Sequence, residues 1–102
     1  MARTRDALKI IDGITGDDPE LRAMIEEEAI NAQVARMIYE ARARAGLTQR
    51  QLADLIGTKQ SVIARLEDAD YEGHSLTMLQ RIATALHQRL EIHLVPAGGK
   101  AS

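Results

Sequence analysis

Apolar and polar positions recur with different periods along this chain, and the changes of period divide it. Between Glu20 and Ala45 there is no glycine and no proline, and apolar residues return three and four apart, which predicts one long helix. Asp18 followed by Pro19 starts it, an N-cap acceptor and then a proline where its missing N–H is no loss. Gly46 ends it. Thr48 and Gln51 form a T-x-x-Q capping box that opens a second helix. Leu52 and Ile56 share one face of it, Ala53 is small where another helix must cross closely, and Gly57 permits the left-handed turn that closes it. A third helix follows with Ile63 and Leu66 inward. Ser75 caps a fourth, whose apolar positions are Leu76, Leu79, Ile82, Ala83 and Leu86. The period then falls to two. In LEIHLV, before Pro96, Leu90, Ile92 and Leu94 share a face and alternate with Glu91 and His93, the pattern of a strand. The competing reading continues the fourth helix through Gln88. Upstream, residues 4–12 predict a short helix with Leu8 and Ile11 on one side, and residues 13–18 a loop.

The long helix contains a change of phase. At about 100° per residue, Ile30, Val34, Met37, Ile38 and Ala41 fall on one side, the side expected to meet the core. Leu21, Met24, Ile25 and Ala29 fall roughly half a turn away. A straight helix turns this earlier stripe toward a partner, whereas a kink near Asn31 folds it back on its own domain. Met24 and Met37 read as packing residues rather than as a cofactor box. The terminal strand raises a similar question, because a lone strand leaves its N–H and C=O groups unpaired. Leu90, Ile92 and Leu94 are therefore candidates for pairing with a second copy, and addition to another protein's sheet is the other route.

The stretch TQRQLADLIGTKQSVIARLE, from Thr48 to Glu67, is a helix-turn-helix signature: two short helices joined by a glycine turn, with a polar outer face on the second. Reading duplex DNA takes phosphate contacts for register and base contacts for sequence. Thr48, Gln49 and Arg50 stand at the start of the first motif helix, where free backbone N–H groups favour an anion. Arg42 and Arg44, late in the preceding helix, are further candidate phosphate contacts. Lys59 opens the second motif helix, and its charge opposes that helix's dipole unless a phosphate lies near. Gln60 matches adenine N6/N7 and Arg65 matches guanine O6/N7, each with two hydrogen bonds. Ser61 lies one turn before Arg65, and Ala64 can touch a thymine methyl.

Composition sharpens this picture. The 102 residues allow one compact domain plus an arm. Tyr39 and Tyr71 are the only aromatics, so the core must be aliphatic, and single-stranded nucleic acid, which is read by stacking on aromatic rings, is disfavoured. The net charge of −2 is unevenly divided: residues 1–33 hold four basic and eight acidic side chains, net −4, leaving +2 for the remainder. Arg42, Arg44, Arg50, Lys59 and Arg65 cluster around the motif, so the positive field is local and the arm is acidic. The absence of cysteine excludes disulfides and fits a cytoplasmic protein, and no apolar run approaches the roughly 20 residues of a membrane span. The N-terminus lacks the apolar stretch of a secretory signal. His74, His87 and His93 match no metal spacing, Ser61 has no neighbouring base, and Glu26, Glu27 and Glu28 read as a solvated face. No phosphate-binding glycine loop occurs. Neither an enzyme nor a cofactor is expected.

GLTQRQLADLIGTKQSVIARLE resembles the Cro/C1-type (XRE) helix-turn-helix family over about residues 34–86. The T-Q start, the L-A pair, Gly57 and the closing I-x-x-L-E stand in place. Lys59 stands where the family usually has a Ser or Thr cap, and Thr58 where a small apolar residue is common. The wider layout, an acidic helical arm, this domain and then ALHQRLEIHLVP, is similar to HigA-type antitoxins of bacterial toxin–antitoxin pairs. That resemblance implies a protein that neutralises a RelE/HigB-like toxin and represses its own operon, and Leu21, Met24, Ile25 and Ala29 are the stripe a toxin-binding helix would use.

The expected architecture is all-α: a Cro/C1-like (lambda-repressor-like) helix-turn-helix domain with an N-terminal helical arm and a C-terminal β-strand paired in a dimer. Residues 1–30 form an acidic partner-binding arm, 31–87 the DNA-binding domain, 88–96 a dimerisation strand and 97–102 a flexible tail. The expected partners are a palindromic double-stranded operator, a second copy and a cognate toxin. A stand-alone regulator without a toxin, and an interaction module that has lost DNA binding, are the alternatives.

Overall fold

The computed structural model describes residues 18–96. The expected helix over residues 4–12, the loop before residue 18 and the tail after residue 96 lie outside them. The described residues form four helices: α1 (Pro19–Arg44), α2 (Gln49–Ile56), α3 (Gln60–Leu66) and α4 (Leu76–Ala85). Each start follows the sequence. Asp18 caps α1 by accepting from the Leu21 N–H at 3.1 Å, with Pro19 at the first helical position. At α2 the Thr48 hydroxyl accepts from the Gln51 N–H at 3.0 Å, and the Gln51 side chain accepts from the Thr48 N–H at 2.8 Å. Ser75 caps α4 by accepting from the Met78 N–H at 3.1 Å.

The core is a single aliphatic cluster of Ile38, Leu52, Ala53, Ile56, Ile63, Leu66, Leu79, Ile82 and Leu86, flanked by Val34, Ala41, Leu47 and Leu90 among others. Leu52 and Ile63 are fully buried, so α2 and α3 are clamped through their facing sides. Arg81 ties α4 to the end of α2 by donating to the Ile56 carbonyl. Such a bond satisfies one of the carbonyls that a helix C-terminus leaves unpaired.

The turn between α2 and α3 depends on Gly57, which closes α2 at φ 73°, ψ 37° in the left-handed region. A Cβ placed there would meet nothing within 4 Å, so only backbone conformation resists substitution. Gly57→Ala is expected to destabilise the fold by about 1–2 kcal/mol, and Gly57→Asn by less, because Asn tolerates this region. Chemical denaturation distinguishes the two variants.

The apolar pattern of α1 divides differently from the expectation. The helix runs unbroken for 26 residues, about 39 Å at 1.5 Å per residue, in a molecule 46 Å long. Its buried residues are only Ala35 and Ile38, so the domain begins at about Val34. Ile30 and Met37, assigned to the core by their phase, are 58% and 43% exposed. They sit about 100° around the helix from Ile38, and the core touches α1 along the line of Ala35, Ile38 and Arg42 instead. Met24 is 57% exposed, so neither it nor Met37 is packed in the core of the described residues. Leu76 is also exposed, because it is the first residue of α4, a turn ahead of the crossing with the core.

The C-terminal segment corrects a second expectation. Among the described residues there is no strand, and residues 88–96 are neither helical nor paired. A ladder needs a partner edge, and the all-helical described residues offer none. Leu90 packs against the core, whereas Ile92 and Leu94 face solvent.

Candidate nucleic-acid interface

Helix α3 has seven residues and could not persist alone in water, so tertiary packing must hold it. Ile63 and Leu66 supply that hold by entering the core. Their burial turns Gln60, Ser61 and Arg65 outward, all exposed, with Ala64 half-buried at the edge of the same face. Ser61 and Arg65 are four apart and therefore share one line along the helix. Lys59 occupies the N-cap with no side-chain cap, as expected for a side chain that has donors and no acceptor.

The start of α2 meets the start of α3 across the turn. Thr48, Gln49, Arg50 and Gln60 line one open depression, with Arg42 behind them. The Gln60 Nε2 donates to Gln49 Oε1 at 2.6 Å, and Gln49 Nε2 donates to Glu67 Oε1 at 3.0 Å. Thus the first residue of α2 positions the first residue of α3. Arg50 is an exposed cation in this depression, and Lys59 and Arg65 are exposed cations before and along α3.

Two expected phosphate contacts are held differently: Arg42 lines this depression from its inner side, and Arg44 lies outside it. Arg42 faces inward: its Nε and Nη2 grip Glu67 at 2.6 and 2.9 Å, and its Nη1 donates to the Leu47 carbonyl at 2.7 Å. Its side chain is 11% exposed and that of Glu67 6%. The Tyr39 ring lies 5.4 Å from the guanidinium carbon. Hydrogen bonding to Glu67 raises the Arg42 pKa above its ordinary value, against the lowering effect of burial. Arg42 therefore fastens α1 to the end of α3, with three of its five N–H groups engaged inside the protein and little of its side chain exposed. Arg44 is two residues further on, about 200° around the helix, and lines a separate hollow with Gln33, Arg36, Met37 and Glu40.

Glu67 was not among the residues singled out from sequence, yet it is the hub that joins Arg42, Gln49 and, through Gln49, Gln60. A signal existed. Ile38 to Arg42 and Ile63 to Glu67 are both four-residue steps, so each charge lies on the buried face of its own helix. Two opposite charges on inward faces point to a pair. His74, also not singled out, closes the other side of α3, with its Nε2 2.7 Å from the Leu66 carbonyl.

Residues 38–92 match a family model described as helix-turn-helix (HTH_3). The chain belongs to this helix-turn-helix family. The matched span begins at Ile38, where α1 enters the core, and covers all three remaining helices. No curated protein and no solved structure matches the chain. Membership supports the Cro/C1-type resemblance and a sequence-specific DNA-binding regulator. Among the described residues no cluster of His, Asp and Glu could hold a metal, and no helix is long and apolar enough to cross a membrane.

Proposed function

We propose that this helix-turn-helix protein represses transcription as a dimer by laying α3 in the major groove of a palindromic operator. Gln60, Ser61, Ala64 and Arg65 read bases, while Thr48, Gln49, Arg50 and Lys59 hold the backbone. One observation carries the reading: burial of Ile63 and Leu66 leaves a continuous polar face of Gln60, Ser61 and Arg65, flanked by exposed cations. Arg42 and Arg44 are left out, for the reasons of placement given above. The experiment is duplex binding by Arg65→Ala. It is expected to cost about 1–3 kcal/mol and to relax preference at one base pair. Equal loss on every sequence would make Arg65 a phosphate contact.

The antitoxin reading is the finer proposal, and a stand-alone regulator fits the domain equally. A partner is favoured by the first half of α1, which is acidic through Glu20, Glu26, Glu27 and Glu28 and exposes Leu21 and Met24. The chemistry suits a small basic protein, such as a RelE/HigB-like toxin, gripped by Leu21, Met24, Ile25 and Ala29. Dimerisation through Ile92 and Leu94, which face solvent beyond the core-packed Leu90, would give the C-terminal segment the edge it lacks. Co-expression with the product of the adjacent gene tests the partner: removal of residues 1–30 should abolish co-purification and spare DNA binding. Retained co-purification would move the partner surface off the arm.

A further inference from the structure

We propose that Glu67, which does not reach the outer face of α3, determines which base Gln60 reads by fixing the direction of a hydrogen-bond relay. The inference rests on the DNA reading above and assigns a positioning residue to it. The relay runs from the Arg42–Glu67 pair through Gln49 to Gln60, with steps of 3.0 Å from Gln49 to Glu67 and 2.6 Å from Gln60 to Gln49. Its inner end is nearly buried and its outer end is exposed.

Direction follows from the inventory of donors and acceptors. A carboxylate gripped by a guanidinium can only accept. Gln49 must therefore turn its NH2 toward Glu67 and its carbonyl toward Gln60. Gln60 must answer with an N–H. What remains free on Gln60 is its carbonyl oxygen and its second N–H, one acceptor and one donor side by side. That pair complements adenine, which offers N6–H and N7 in the major groove. Were the relay reversed, Gln60 would bond through its carbonyl and present only donors, which complement the O6 and N7 acceptors of guanine. The negative charge at Glu67 thus selects adenine over guanine at a base pair it does not touch. Low solvent exposure at the inner end strengthens the preference, because hydrogen bonds in a poorly solvated site are electrostatically stronger.

The test is selection from a randomised duplex library. Comparison of wild type with Gln60→Ala locates the base pair that Gln60 reads. There the wild type is expected to prefer adenine over guanine by about tenfold or more. Gln49→Leu leaves the Arg42–Glu67 pair intact and frees the Gln60 amide to turn, so the preference should fall about fivefold, the worth of one hydrogen bond. Preferences at other positions should not change. Glu67→Gln, which can donate as well as accept, should allow both directions and bring the ratio to within about twofold of unity. If circular dichroism shows Glu67→Gln unfolded, Gln49→Leu decides the matter alone. An unchanged adenine-to-guanine ratio in Gln49→Leu overturns the relay even if binding weakens, since a phosphate contact or a structural role weakens every sequence alike. A folded wild type that selects no sequence overturns the DNA reading itself, and the relay with it.

Discussion

Glu67→Ala is expected to lower the unfolding free energy by up to about 3–5 kcal/mol, the effect of stranding one member of a fully buried ion pair, which the largely buried Arg42–Glu67 pair approaches. The loss has three parts. The Arg42 guanidinium keeps its charge while losing two close acceptor contacts, Gln49 loses its acceptor, and the joint between α1 and α3 opens. Against the roughly 5–15 kcal/mol that a small domain has in total, this is a large fraction. Urea denaturation followed by circular dichroism measures it. The double variant Arg42→Met with Glu67→Leu removes both charges and should recover most of the loss, because apolar replacement of a buried pair is commonly neutral or stabilising. A double variant as unstable as the single one would place the effect in shape rather than in the orphaned charge. The Arg42 pKa is raised on folding, so the stability linked to the Arg42 proton is present below the ordinary arginine range and is lost as the pH climbs through strongly alkaline values.

Ile63→Ala has an effect of similar size, about 2–5 kcal/mol. Ile63 is 0% exposed and is the main anchor by which α3 is held. With seven residues and no side-chain cap at Lys59, α3 has little intrinsic helical stability, so loss of its anchor should disorder the reading face as well as weaken the core. Duplex binding should therefore collapse together with stability. Ile63→Val removes one methylene, should cost about 0.5–1.5 kcal/mol, and should leave binding nearly intact. If Ile63→Ala binds DNA like wild type at a temperature where it is folded, α3 does not read the groove.

How much of this was legible in the sequence varies by element. The helix starts at Asp18, Thr48 and Ser75 were readable because a cap is a local event, settled by side chains within three residues. The turn at Gly57 was readable for the same reason. The inward set of α2 and α3 was readable because Leu52, Ile56, Ile63 and Leu66 keep one phase over a short helix. The core line of α1 was harder. Apolar residues occur on two sides of it, and periodicity ranks faces without knowing where the domain ends along a 26-residue rod, so Ile30 and Met37 were assigned inward and lie exposed. The strand over residues 88–96 has the right alternation, but alternation says nothing about the partner edge that a strand requires.

For the site, residue type was a good guide to exposure and a poor guide to attachment. Gln60, Ser61 and Arg65 stand outward as their positions indicated. Arg42 shared a charge with Arg44 and Arg50, and charge alone placed it with the phosphate contacts. Its inward role depends on Glu67, 25 residues away, and such long-range pairing is not written in any local pattern. The four-residue steps from Ile38 and Ile63 were the available clue.

Helix α3 is the element proposed to read duplex sequence. The most direct measurement is the affinity of the purified protein for the best duplex selected from a random pool, set against its affinity for random duplex at physiological salt. A ratio of about 10³ or more is predicted, as for specific DNA-binding proteins, with the ratio falling when Arg65 becomes Ala. Equal affinity for selected and random duplex would contradict the account.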